Sequence, residues 1–262
     1  MLLLVQFVYR LAFGMAAAMA VTSPRQVTSG YYRNNLHVLL GMSVLVALAA
    51  FAGVVDPGLL PKWPAVAAAI LSYVGAACWL YEKPRAGITV LAAIAVLTLI
   101  GALCATPVAV PQTTGEPTTN PMLWQSLAYA DTVAAGLLLG VTMAAMLLGH
   151  WYLNAPGMQM QPLVRLTAWL GAAVALRTVV SALGLWGFWS SGGSLEPAEQ
   201  IMLALRWLAG MGGTAVLVVM TWSTLKIPNT QAATGMLYVA VITTFLGELV
   251  GQLLSSGKAY PL

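Results

Sequence analysis

Eight apolar stretches, each long enough to cross a bilayer, follow one another along this chain, and they decide what solvent it can fold in. A hydrocarbon core about 30 Å thick is crossed by roughly 20 helical residues rising 1.5 Å each. The stretches fall near 2–21, 35–55, 64–82, 87–105, 123–150, 163–188, 200–222 and 234–255. Between them lie helix breakers: Ser23-Pro24, Asp56-Pro57-Gly58, Lys83-Pro84, the polar run 107–121, Asn154-Ala155-Pro156-Gly157, the 190–197 stretch and Ile227-Pro228-Asn229. Only 7% of the 262 residues are charged and 60% are hydrophobic, with mean hydropathy +0.86; a soluble domain carries roughly 25% charged residues. The alternating strand pattern of a membrane barrel is absent. The expected fold is therefore all-α: a polytopic integral membrane bundle of about eight transmembrane helices, one transmembrane domain over residues 1–262.

Lysine and arginine give the expected orientation. Arg25, Arg33, Lys83, Arg85, Arg165 and Lys226 flank the loops after odd-numbered helices, while the other loops and ends hold only Lys62 and Lys258. By the positive-inside rule the basic loops face the cytoplasm and both termini face out. Residues 18–20 have the small-residue pattern of a signal cleavage site, but no basic residue precedes the apolar run and Arg10 interrupts it, so the first helix reads as retained. The expected location is the bilayer of a bacterial inner (cytoplasmic) membrane. The net charge of +4 is scattered over short loops instead of forming a stripe, which argues against nucleic acid as a partner. No loop is long enough to hold a soluble catalytic domain, so large chemistry has to come from a cofactor or from other subunits of a membrane complex. Cys78 and Cys104 fall near opposite ends of their helices, too far apart for a disulfide.

Two constellations carry chemistry. The only histidines, His37 and His150, fall at the start of the second span and the end of the fifth, at one depth near the basic face. Two neutral imidazoles on facing helices can ligate the iron of haem b from both sides. Tyr32, Arg33 and Trp151 beside them suit an amphipathic cofactor, with the arginine opposite a propionate. The alternative is a pair of independent, hydrogen-bonded histidines in an interfacial aromatic belt. The second constellation is Asp131, Arg177, Arg206 and Glu248, on four different helices at similar depths below the other face. Charges inside a membrane normally face the bundle interior, pair, and mark function; the alternative is a set of ion pairs that only fixes packing. Arg10 stands alone near the middle of the first helix. Gly136 with Gly140, and Gly210, Gly212 and Gly213, fit close helix packing. A faint internal echo suggests two four-helix halves, 1–105 and 123–255.

The segment Leu246-Gly247-Glu248-Leu249-Val250-Gly251-Gln252 resembles the last-helix Gly-Glu-Leu-aliphatic-Gly-Arg stretch of the membrane-anchor subunits of the dimethyl sulfoxide reductase, polysulfide reductase and nitrite reductase type. The resemblance covers those seven residues and the eight-helix layout, and Gln252 stands where that family has arginine. It implies a quinol-binding anchor without haem, with Glu248 handling protons near a quinone. Together these readings give the functional expectation: an integral subunit of a respiratory or electron-transfer complex binding quinone, haem b or both. Asp131 and Glu248 would act as proton acceptors and Arg177 and Arg206 as head-group contacts. An ion-coupled transporter and a purely structural subunit are the alternatives.

Overall fold

The computed structural model describes residues 2–53, 62–106, 121–155, 157–227, 229–256, 258 and 260–262. The Asp56-Pro57-Gly58 turn and most of the 107–121 run lie outside the described residues. Eight helices are long and apolar enough to span a membrane, and no strand occurs among the described residues. They are α1 (Leu2–Val21), α2 (Ser29–Phe51), α3 (Lys62–Leu80), α4 (Pro84–Cys104), α5 (Pro121–Asn154), α6 (Gln161–Ser190), α7 (Pro197–Lys226) and α8 (Thr230–Ser255). The expected all-α membrane bundle is thus what the chain forms.

Local chemistry explains the helix ends. Prolines sit in the first turns of α4, α6 and α7, where the missing N–H is not needed. Glu196 and Glu199 close a reciprocal capping box on α7, and the Asn229 side chain accepts from Ala232 N at 3.0 Å to open α8. After α6 the chain turns at Gly192, with φ of +74°, a region that favours glycine.

One boundary differs from the sequence expectation in an informative way. Helix α2 begins at Ser29, six residues before the expected start at 35. Tyr32, expected beside an amphipathic cofactor or in an interfacial belt, is fully buried, as is its neighbour Tyr31. The Tyr32 ring stacks on Trp79 with centroids 3.9 Å apart, and its hydroxyl donates to Thr22 O at 2.8 Å. Tyr31 donates to Ala144 O at 3.2 Å. These phenols are core residues with satisfied tips.

Packing arranges the helices as two four-membered rings. In the first, α1 packs on α2 and α4, and α3 lies between α2 and α4; in the second, α5 packs on α6 and α8, and α7 joins α6 to α8. The rings are joined along α1 and α5, the two most enclosed spans, each 78% buried against half or less elsewhere. Glycines allow that junction. A methyl added to Gly14 would fall 1.8 Å from Gly136 O, and one on Gly140 would fall 1.9 Å from Gly14 C, so the two backbones nearly touch. Gly210 and Gly247 make a second such crossing between α7 and α8, at 2.6 Å. Around the outside, large apolar side chains such as Leu208, Val219, Trp169 and Ile242 are exposed, as a lipid-facing surface requires.

Two irregularities matter for the site. Within α7 the stretch Arg206–Gly213 is π-helical, hydrogen-bonded i to i+5 instead of i to i+4. Beyond α8, residues 260–262 fold back into the bundle: Pro261 O lies over Gly184, Leu262 N donates to Ser255 Oγ at 2.9 Å, and Tyr260 packs edge-on against Trp124.

Candidate functional site: buried charges beneath a cavity

The acids and guanidinia of four helices meet in one network near the end of the bundle that holds residues 2 and 262, and Arg206 of a fifth helix is buried beside it. Arg177 on α6 is its centre. Its Nε donates to Glu248 Oε1 at 2.7 Å and its Nη2 to Glu248 Oε2 at 3.0 Å, a bidentate pair with α8. Its remaining Nη1 donates to Asp131 Oδ1 on α5. The second Asp131 oxygen faces Arg10 of α1, at 3.5 Å from Nη1. Arg10 Nη2 donates to Thr132 Oγ1 at 3.0 Å, and Thr132 in turn shares a 2.8 Å hydrogen bond with Thr106. Arg206, on α7 at the start of the π-helical stretch, donates from Nη2 to Ser181 Oγ at 2.8 Å. All five charged residues are buried; Arg177 is 2% exposed and Arg206 1%. An unpaired charge at such a depth costs at least about 2.5–3.5 kcal/mol, and removing one member of a buried pair leaves that deficit on the other.

Beside this network lies a cavity of about 320 Å³ between α1, α5, α8 and the folded-back C-terminal residues. Its walls include Gln6, Arg10, Thr106, Asp131, Gly251, Gln252, Ser255, Lys258 and Tyr260. Gln6 is engaged, donating to Ala105 O. Gln252 is not: although 7% exposed, neither its Oε1 nor its Nε2 has a partner, and Arg10 Nε is likewise unpartnered. Buried polar groups without partners are rare and costly. Both residues line the cavity, from α8 and α1. At the rim Lys258 pairs with Glu199 at 2.7 Å.

The structure therefore brings together Asp131, Arg177, Arg206 and Glu248, and adds Arg10, for which the sequence offered no partner. Of the two proposed proton acceptors, Asp131 lines the cavity and Glu248 sits behind it on Arg177.

The histidine constellation is placed differently. His37 lies two turns inside α2 on an exposed face, its Nδ1 2.8 Å from Arg33 O of its own helix. His150 is exposed on α5 and shares a 3.0 Å hydrogen bond with Tyr238 on α8. Helix α2 packs chiefly on α3 and α1, whereas α5 packs on α1, α6 and α8. The two rings thus have separate surroundings, and this geometry lends no support to shared ligation of haem b. The neighbours proposed for such a cofactor are also engaged otherwise: Tyr32 is in the core, Trp151 Nε1 donates to Thr28 Oγ1 at 2.7 Å, and Arg33 is on the surface. Among the described residues no group of three or more His, Cys, Asp or Glu is placed to hold a metal.

Several residues escaped the sequence reading: Gln6, Gln252 as a cavity residue, Ser181 and Thr132. A signal for three of them was present. Gln6 precedes Arg10 by four residues, Ser181 follows Arg177 by four, and Gln252 follows Glu248 by four, so each lies one turn along the same helix face as an intramembrane charge.

Fold and site together define a polytopic α-helical membrane protein with a buried ion-pair network beside a polar-lined cavity. Comparison with protein-family models, characterised proteins and solved structures gives no match. The last-helix resemblance to reductase anchor subunits accordingly rests on its own seven residues.

Proposed function

We propose that this chain is the quinone-binding integral membrane subunit of an electron-transfer complex, with the quinone head group in the cavity between α1, α5 and α8. The observation that carries the reading is that Gln252 and Arg10, each with a nitrogen lacking a partner, and Asp131 line one cavity from three different helices. A quinone presents two carbonyl oxygens, which amide and guanidinium N–H groups can hold. Quinol oxidation releases two protons for two electrons, so the site also needs an acceptor for protons within reach, and Asp131 is the carboxylate on that wall. Lys258 and the C-terminal segment form the mouth. With the positive-inside rule, that mouth opens on the non-cytoplasmic side of a bacterial inner membrane. Electrons would pass to a partner subunit docked there.

The test uses purified protein in phosphatidylcholine nanodiscs titrated with menadione. Trp124, packed at 4.4 Å against the cavity residue Tyr260, is the fluorescent reporter, with the other eight tryptophans replaced by Phe. Saturable quenching is expected, with Kd about tenfold weaker in Gln252→Leu, the equivalent of one good hydrogen bond. Absence of saturable quenching would remove the quinone from this reading.

A second reading, an ion-coupled transporter, is favoured by the π-helical interruption of α7 at the level of the charges, since transporters place substrate sites at interrupted helices. Solute uptake into vesicles by a protein that binds no menadione would decide for it.

A further inference from the structure

We propose that the opening segment of α7, Pro197–Leu205, is a hinged flap that controls entry to the cavity by releasing the C-terminal residues that wall it. The proposal concerns how the cavity is reached and holds for whatever molecule the cavity takes.

The flap is lightly anchored. None of its nine residues is buried, whereas the continuation of the same helix buries Arg206, Gly210 and Met211 in the π-helical stretch and Thr214, Thr221 and Leu225 beyond it. Segments with few buried contacts are the ones that open locally. Both ends of the flap are articulated. Before it lies the turn at Gly192, with φ of +74°. After it comes the π-helical stretch Arg206–Gly213, which holds Gly210, Gly212 and Gly213; i to i+5 bonding recurs at functional sites, and glycine weakens a helix where it stands. Gly210 supplies a fulcrum, because a methyl on it would fall 2.6 Å from Gly247 Cα, so α7 and α8 meet backbone to backbone at that level.

What the flap holds is the C-terminal segment. Glu199 pairs with Lys258 at 2.7 Å, with the two side chains 30% and 19% exposed. Met202 and Leu203 rest on the cluster of Phe188, Leu254, Tyr260 and Leu262. No residue of α7 is among those lining the cavity, but Lys258, Tyr260 and Pro261 are. The flap therefore acts on the cavity through the segment beneath it. With the flap down, Lys258 lies over the Phe188 ring at 5.4 Å, and the Tyr260 and Ser191 hydroxyls share a hydrogen bond. When the flap swings out, that segment loses its ion pair and its apolar cover together, and one wall of the cavity is free to part. A partly exposed ion pair is weak, unlike the buried pairs of Arg177, which suits a latch that must break and re-form.

The experiment reads access directly and needs no ligand. In protein with Cys78 and Cys104 replaced by Ala, Gln252→Cys puts one thiol on the buried cavity wall. Its rate of modification by N-ethylmaleimide is followed in phosphatidylcholine nanodiscs. Lys258→Gln should raise that rate about fivefold, the upper range for an exposed pair. Glu199→Gln should do the same, with no further gain when the two are combined, since they break one latch. Gly213→Ala should lower the rate about fivefold, the difference in helix propensity between the two residues; a methyl there meets its neighbours only at 3.6 Å and beyond, so it stiffens the hinge without a clash. Hydrogen exchange should show the amides of 197–205 exchanging faster than those of 214–226, and slowed by Gly213→Ala. A modification rate unchanged by the latch substitutions or by Gly213→Ala, or amides of 197–205 as protected as those of 214–226, overturns the flap. The latch and hinge variants test it separately, so if one does not fold the others decide. Menadione is not involved, so failure of the quinone reading leaves this test standing.

Discussion

Arg177 has the most to lose of any side chain in the molecule, because two carboxylates on two other helices depend on it. Replacing it by Gln leaves Asp131 with only the 3.5 Å contact to Arg10, and Glu248 with no ion-pair partner among the described residues. We expect Arg177→Gln to destabilise the protein by about 3 kcal/mol, on the scale of other broken buried pairs. The check is a thermal unfolding curve in detergent, and a midpoint within a degree of wild type would contradict the network's structural weight. The histidines supply the contrast. His37→Ala removes an exposed ring bonded to its own helix, and His150→Ala removes one surface hydrogen bond to Tyr238. Each should shift stability by less than about 1 kcal/mol and leave menadione affinity unchanged in the nanodisc titration. A pronounced loss of binding in either variant would return the histidines to the site.

At the level of elements, the junction of α1 and α5 depends on glycine having no side chain. Gly140→Val inserts a branched side chain where even one carbon would lie 1.9 Å from the backbone of Gly14. Because backbone cannot yield as a flexible side chain can, the helices must separate, and the Arg10 to Asp131 contact two to three turns away should open with them. Loss of monodisperse protein by fluorescence-detected size exclusion is expected, whereas Gly41→Ala, which faces open space, should behave as wild type. Much of this scale was legible in the chain itself. Apolar length located all eight helices, and the depth of Asp131, Arg177, Arg206 and Glu248 could be counted at a fixed rise per residue. Azimuth was harder to read. Whether a side chain looks inward depends on which neighbour covers it, which is why Tyr32, expected beside a cofactor, is found in the core and His37, expected to face another helix, is found exposed. The π-helical stretch was invisible too: Gly210, Gly212 and Gly213 announce close packing but not the i to i+5 bonding that begins at Arg206.

For the whole molecule, the sharpest prediction concerns sidedness. With Cys78 and Cys104 replaced by Ala, Lys258→Cys should react with a membrane-impermeant maleimide on intact bacterial cells, and Lys83→Cys only after the inner membrane is opened. The reverse labelling would put the cavity mouth in the cytoplasm. The ring-by-ring packing has a further bearing on how the chain is made. Arg10 enters the bilayer first, but Asp131 and Thr132, which satisfy it, are synthesised more than a hundred residues later on the first helix of the other ring. Until α5 arrives, the first ring holds a guanidinium without those partners, which lipid tolerates poorly. We expect α1 to stay sheltered by the translocation machinery, or near the interface, until the fifth helix is delivered. A chain truncated at residue 106 should be degraded in cells that stably accumulate one truncated at residue 155.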